Sequence, residues 1–279
     1  MAAVPRHFLL ALDGSPGSEA AVRRAFQLAP ALDASVSGLH VLDTAQLEAS
    51  FIADLSGSVG FQPFLNLSGE LRTALGAIGR AIVSDFEGKR EAAGIPGSGR
   101  MVEGLVVPEL ARAAADADLV FLGLHGTGAG RGKALGSHAD ALVRRLGVPA
   151  LLSPADGAPL RHPVAGFDGS ERATRALRSA AEICSALDLP LDVITVAASR
   201  EEAEARRLAA AKALEGFTVR AAFVASEGPH PEDVLIGRAP GNDLIAIGSH
   251  GHGRIVELVL GSTTERVLRR TTVSVLCVP

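Results

Sequence analysis

Short apolar runs alternate with stretches of helical periodicity along the whole chain. Residues 8–12 form an apolar run that predicts a strand, ended by Asp13-Gly14-Ser15. Ala21, Val22, Ala25, Phe26 and Leu28 then recur near helical spacing, which predicts a helix with one apolar face. Residues 35–41 read as a second strand. Residues 43–69 are irregular and partly apolar, with Phe51, Ile52, Leu55, Phe61 and Phe64; a connection of that length is a functional or interface loop, or holds a short helix. A long helix is expected over 70–93, carried by Leu71, Leu75, Ile78, Ile82 and Phe86 and broken at Gly94-Ile95-Pro96-Gly97. A strand near 100–103, a helix from Pro108, a strand over 119–122 and a closing strand over 148–152 complete the first half.

The plan then restarts. Pro154, Gly157 and Pro159 mark 154–159 as a linker. Strand, helix, strand, helix, strand, helix, strand, helix, strand are expected over 163–167, 172–187, 191–196, 200–214, 218–224, 233–239, 244–247, 263–270 and 273–277. The two rounds match residue by residue. Asp13-Gly14-Ser15 maps to Asp168-Gly169-Ser170, and Val41 to Val196, at an offset of 155 residues. Arg144-Arg145 maps to Arg269-Arg270, and Val148 to Val273, at an offset of 125. The second half therefore lacks about 30 residues, lost between its second and third strands. Two domains are expected, 1–153 and 160–279. Alternating strands and helices predict two tandem doubly wound α/β domains, each a parallel sheet with helices on both faces and right-handed crossovers.

One frame carries candidate chemistry. After the strand at 244–247 come Gly248, Gly251, Gly261 and Ser262, and after that at 119–122 come Gly123, Gly126, Gly136 and Ser137, so Gly-x2-Gly-x9-Gly-Ser occurs twice at an offset of 125. Each copy lies between an apolar strand and a helix start, and the context outweighs the motif alone. Glycines after a strand let main chain approach an anion without an intervening Cβ. A helix start adds unpaired amides with partial positive charge. His125 and His250 lie inside the frames. The loops differ in charge: Arg131 and Lys133 in the first, Arg254 beside Glu257 in the second. His250 and His252 alternate, but no third ligand at metal-site spacing is evident, so no metal site is expected.

Composition narrows the classes. Hydrophobic residues make up 47% of 279 residues, ample for a core. A formal charge of −4 argues against a partner such as nucleic acid bound through a general basic surface. Two cysteines, Cys184 and Cys277, give neither a disulfide framework nor a zinc cluster. The first residues do not read as a signal peptide, and no uninterrupted apolar stretch reaches the roughly 20 residues of a membrane span. The expected location is cytoplasmic. No Gly-x4-Gly-Lys-Ser/Thr loop and no Gly-x-Ser-x-Gly elbow with a triad is present, so no catalytic residue is named.

With Asp13-Gly14-Ser15, Val41 and the two glycine frames in place, the chain resembles the universal stress protein family in its tandem form, over nearly its whole length. The frame is similar to that of the family's ATP-binding branch. The resemblance implies five strands per domain in the order 3-2-1-4-5, with ATP and Mg2+ at the ends of strands one and four. It implies nucleotide contacts from Asp13, Val41, Gly123, His125, Gly126, Gly136 and Ser137 in the first copy. In the second it implies Asp168, Val196, Gly248, His250, Gly251, Gly261, Ser262 and Thr263. Asp13 and Asp168 would serve the adenosine end, and the main chain of Val41 and Val196 the adenine. It further implies an intramolecular pseudo-dimer in which 148–152 pairs with 273–277, and a homodimer of tandem chains. The implied role is a nucleotide-dependent stress-response switch with at most slow ATP hydrolysis. Two alternatives stand beside it: an ATP-hydrolysing enzyme of the wider adenine nucleotide α-hydrolase-like superfamily, and a nucleotide-free interaction module.

Overall fold

The computed structural model describes residues 6–45, 64–126, 135–157, 159–238, 244–249 and 260–279. The loop residues Arg131, Lys133, His250, Gly251, His252, Arg254 and Glu257, and the apolar stretch from 46 to 63, lie outside them. In the first half the strands are β1 (His7–Ala11), β2 (Ser35–Asp43), β3 (Gly97–Gly104), β4 (Leu119–Gly123) and β5 (Ala150–Ser153). The second half has β6 (Val164–Gly166), β7 (Pro190–Ala197), β8 (Arg220–Glu227), β9 (Leu244–Gly248) and β10 (Ser274–Val278). The helices are α1 (Pro16–Leu28), α2 (Phe64–Ala92), α3 (Val106–Ala114) and α4 (Ser137–Arg145), then α5 (Glu171–Ala186), α6 (Arg200–Ala213), α7 (Pro231–Arg238) and α8 (Ser262–Arg270). The long helix begins at Phe64, inside the stretch expected to be irregular.

All ten strands join one sheet in the order β3-β2-β1-β4-β5-β10-β9-β6-β7-β8. Each half thus shows the expected 3-2-1-4-5. Pairing is parallel throughout except between β5 and β10, which run antiparallel with Val275 opposite Leu152, Leu276 opposite Leu151 and Cys277 opposite Ala150. This is the anticipated pseudo-dimer contact. It covers two apolar strand edges that would otherwise template further pairing. Because the fifth strands oppose each other, the carboxyl ends of the two halves' strands point to opposite edges of the sheet.

The strands read as apolar runs because both faces are covered. On one face Phe8, Leu10 and Phe121 pack with Ala25 and Leu28 of α1 and, across the junction, Leu177 of α5. On the other, Leu9, Val120 and Leu122 pack with Leu142 of α4 and Val267 of α8. Phe8 and Phe121 stack tilted, with ring centroids 5.1 Å apart, in the centre of the first half. The linker is held by α1: Arg23 Nη2 donates to the Ala155 carbonyl at 3.3 Å, and Leu160 N donates to Gln27 Oε1 at 3.2 Å. Arg24, only 4% exposed, crosses between the halves and donates to Ser274 Oγ of β10 at 3.3 Å.

Candidate functional site

The turn after β1 is built by local chemistry. Gly14 sits at φ +72°, a left-handed conformation that strains a side chain. Ser15 N donates to Asp13 Oδ1 at 2.9 Å, an Asx-type turn. Ser15 then caps α1, its Oγ accepting from Ser18 N at 3.1 Å, with Pro16 in the first turn. The second half repeats the turn and the cap, with Glu171 in place of Pro16. Gly169 has φ +89°, Ser170 N donates to Asp168 Oδ1 at 2.9 Å, and Ser170 Oγ accepts from Ala173 N at 3.1 Å.

The glycine frame is folded equally alike in both halves. Leu124 N donates to the Ser153 carbonyl at 2.8 Å and Gly136 N to the Leu124 carbonyl at 3.0 Å. At an offset of 125, Ser249 N donates to Val278 O at 2.8 Å and Gly261 N to Ser249 O at 2.9 Å. Gly136 and Gly261 are the N-caps of α4 and α8, and neither offers a capping side chain. The first-turn amides of both helices therefore have no capping oxygen from their own N-cap. Ser137 and Ser262 begin these helices and are exposed; Thr263 is half-buried. Thr264 Oγ1 donates to the Gly248 carbonyl at 2.7 Å and ties α8 to the end of β9.

The structure brings the β1 turn and the β4 loop together. A Cβ placed on Gly126 would lie 3.1 Å from Asp13 Oδ2, and the His125 carbonyl lies 3.5 Å from Ser15 Oγ. Gly123 is in closer contact than the sequence revealed: its Cβ would fall 2.9 Å from the Gly17 carbonyl carbon, while a Cβ on Gly17 would fall 2.7 Å from the His125 carbonyl oxygen. Two glycines thus let α1 cross the end of β4. Gly17, a glycine in the first turn of a helix, is the one signal that could have been read from sequence. At Gly248 the clearance is 3.0 Å to Arg172 Cβ, and Arg172 stands at the position equivalent to Gly17.

Val41 and Val196 are placed alike on β2 and β7. Leu12 N donates to the Leu39 carbonyl at 2.9 Å, and Phe167 N to the Ile194 carbonyl at 2.9 Å. Peptide groups two residues apart on a strand point to the same side. Those of Val41 and Val196 therefore point past the last residues of β1 and β6, over Asp13 and Asp168.

Among the described residues, His230, Glu232 and Asp233 form the one group of three potential metal ligands, with ligand atoms within 4.8 Å of each other. No ligand spacing in the sequence pointed to this group. Burial alone would raise the Glu232 carboxyl, but hydrogen bonds from its own amide and from Arg266 bring it below the ordinary range. Arg266 donates to Glu232 at 2.8 Å and Arg270 pairs with Asp233 at 2.6 Å, so both carboxylates already face guanidinium groups.

A model of the universal stress protein family matches residues 5–154 and again 160–279. The chain belongs to the universal stress protein family. It is 28% identical over 290 residues to universal stress protein Slr1230 of Synechocystis sp., an alignment covering 97% of this chain and 99% of that one. It is 31% identical over 196 residues to universal stress protein Rv2005c of Mycobacterium tuberculosis, covering 61% of this chain and 64% of the relative. A crystal structure of a universal stress protein from Archaeoglobus fulgidus superposes with a TM-score of 0.72 at 22% identity, over 98% of this chain and 95% of that one. The tandem arrangement of this universal stress protein is thus common to sequence, family match and fold. No helix among its described residues is long and apolar enough to cross a membrane.

Proposed function

We propose that this universal stress protein binds ATP with Mg2+ in the crevice between the ends of β1 and β4, and acts as a nucleotide-dependent switch with little hydrolysis. One juxtaposition carries the reading. The Val41 peptide group, the Asp13 carboxylate and the uncapped first turn of α4 converge on the carboxyl ends of adjoining strands, where the winding of the sheet reverses. Main-chain donor and acceptor groups at Val41 fit a base edge. The amides of Ser137 and its successors fit a phosphate, as helix N-termini do. Gly126 and Gly136 lie against each other, a Cβ on Gly136 falling 3.4 Å from Gly126 N, so neither places a side chain in the crevice. Mg2+ would neutralise part of the polyphosphate charge.

Weak hydrolysis follows from the commitments of the carboxylates. Asp13 and Asp168 each hold the amide of their own turn serine, whereas phosphoryl transfer needs metal-holding carboxylates and a positioned nucleophile. The protein is expected as a homodimer of tandem chains in the cytoplasm.

The test is calorimetric titration of ATP with Mg2+ into wild type and Gly136→Val. Gly136 has φ −60° and ψ 139°, angles that a valine accepts, so the change blocks the crevice without straining the fold. The expected result is a loss of affinity of at least tenfold at the first crevice. Affinity unchanged by Gly136→Val overturns the reading. Nucleotide released on denaturing the purified protein separates switch from enzyme: intact ATP supports the switch, and ADP or AMP accompanied by turnover supports the hydrolase.

A further inference from the structure

The two crevices differ at the strand that would meet the base. Arg206, on α6, donates from Nη1 to the Val196 carbonyl at 2.7 Å. This is the acceptor that points past the end of β6. Arg206 is in turn held by Glu202, whose Oε1 accepts from Nη2 at 2.7 Å, and its side chain is only 24% exposed. The bond is short and charge-assisted, the stronger class of hydrogen bond. In the first half, no side chain among the described residues donates to the Val41 carbonyl, and the following helix, α2, is of different length and sequence. A second difference lies on α5, where Arg172 replaces Gly17 beside the end of the frame strand.

We propose that the second crevice does not hold a nucleobase and accepts only the anionic part of such a ligand, with Arg206 as the residue that sets this specificity. A base bound as proposed in the first crevice would donate its amino group to the main-chain carbonyl of this strand end. At Val196 a guanidinium already makes that donation, and a base would have to displace it. At the phosphate end the described bonds recur: Ser249 N donates to the Val278 carbonyl and Gly261 N to the Ser249 carbonyl, as Leu124 N and Gly136 N do in the first half. The inference rests on reading the first crevice as the ATP site. It gives the two halves separate roles: nucleotide recognition in the first, base-independent polyphosphate binding in the second.

The experiment uses the full chain in two single-crevice backgrounds, Gly136→Val and Gly261→Val, titrated with ATP, adenosine and inorganic tripolyphosphate. In the Gly136→Val background, tripolyphosphate is expected to bind within a few-fold of ATP, and adenosine not at all. Adding Arg206→Met, which keeps the aliphatic stem, is expected to create adenosine binding and to raise ATP affinity about tenfold or more, the worth of one charged hydrogen bond. Arg206→Gln serves as the second variant should Arg206→Met melt early. ATP binding tenfold tighter than tripolyphosphate in the Gly136→Val chain, or no gain from either Arg206 variant, overturns the inference. Absence of ATP binding in the Gly261→Val chain overturns instead the ATP reading of the first crevice, so the two failures are told apart.

Discussion

Individual residues show how a duplicated sequence acquires different chemistry in its two copies. Gln27 and Glu182 occupy equivalent positions on α1 and α5. Gln27 Oε1 accepts from Arg24 Nη1 at 3.0 Å and from Leu160 N. Glu182 is half-buried, and burial pushes its carboxyl from an ordinary 4.5 up to about 7. Between those values the folded chain keeps a proton that the unfolded chain has released. Stability therefore falls as pH rises from about 4.5 to about 7, and the loss is complete above that. Glu182→Gln is expected to remove this slope and to stabilise the protein at pH 8 by on the order of 1 kcal/mol, with little change near pH 4.5. Urea midpoints measured across that range check it; an unchanged slope would place the titration elsewhere. Cys277 shows the same physics without a consequence for charge, since burial raises its thiol to about 12 and keeps it protonated.

At the level of elements, the turns were legible and the packing between elements was not. Asp-Gly-Ser after an apolar run marked the end of β1 and the start of a helix; the left-handed Gly14 and the Ser15 cap that build the turn likewise depend only on neighbours within a few residues. The crossing of α1 over β4 depends on residues more than 100 positions apart in the chain. Gly123, read as a phosphate contact, has its missing side chain required by Gly17 in any case. Gly17→Ala is expected to destabilise the first half by about 1–3 kcal/mol, the usual cost of overpacking, even without ligand. Thermal unfolding in nucleotide-free buffer measures it. A full-strength fold with weakened ATP binding would show that the glycine serves the ligand rather than the packing. β3 runs longer than its apolar pattern and β8 lies two to three residues later than expected, because these edge strands are largely exposed or half-buried and carry polar residues the periodicity discounts.

For the whole molecule, the junction is a short antiparallel pair, β5 with β10, reinforced by the buried Arg24. All of β5 and β10 is buried. Residues 1–157 produced alone would expose β5 as an apolar edge, and two copies can reproduce its antiparallel pairing. The expected outcome is a dimer in sedimentation equilibrium at micromolar concentration; a stable monomer would mean that the junction contributes little. The opposed strands also place the two crevices on opposite edges of the sheet, so neither half can complete the other's site by direct contact at its strand ends.

The sequence by itself determined the duplication, the alternation of strand and helix, the 3-2-1-4-5 winding through its family resemblance, and the local turn chemistry of both crevices. These are set by periodicity and by residues close together in the chain. Only the tertiary structure decided that Gly17 and Gly123 share one crossing, that Arg24 bridges the halves, and that Arg206 covers the Val196 carbonyl. A helix full of arginines has no sequence mark for the one that turns inward, because that choice is made by the strand end it meets.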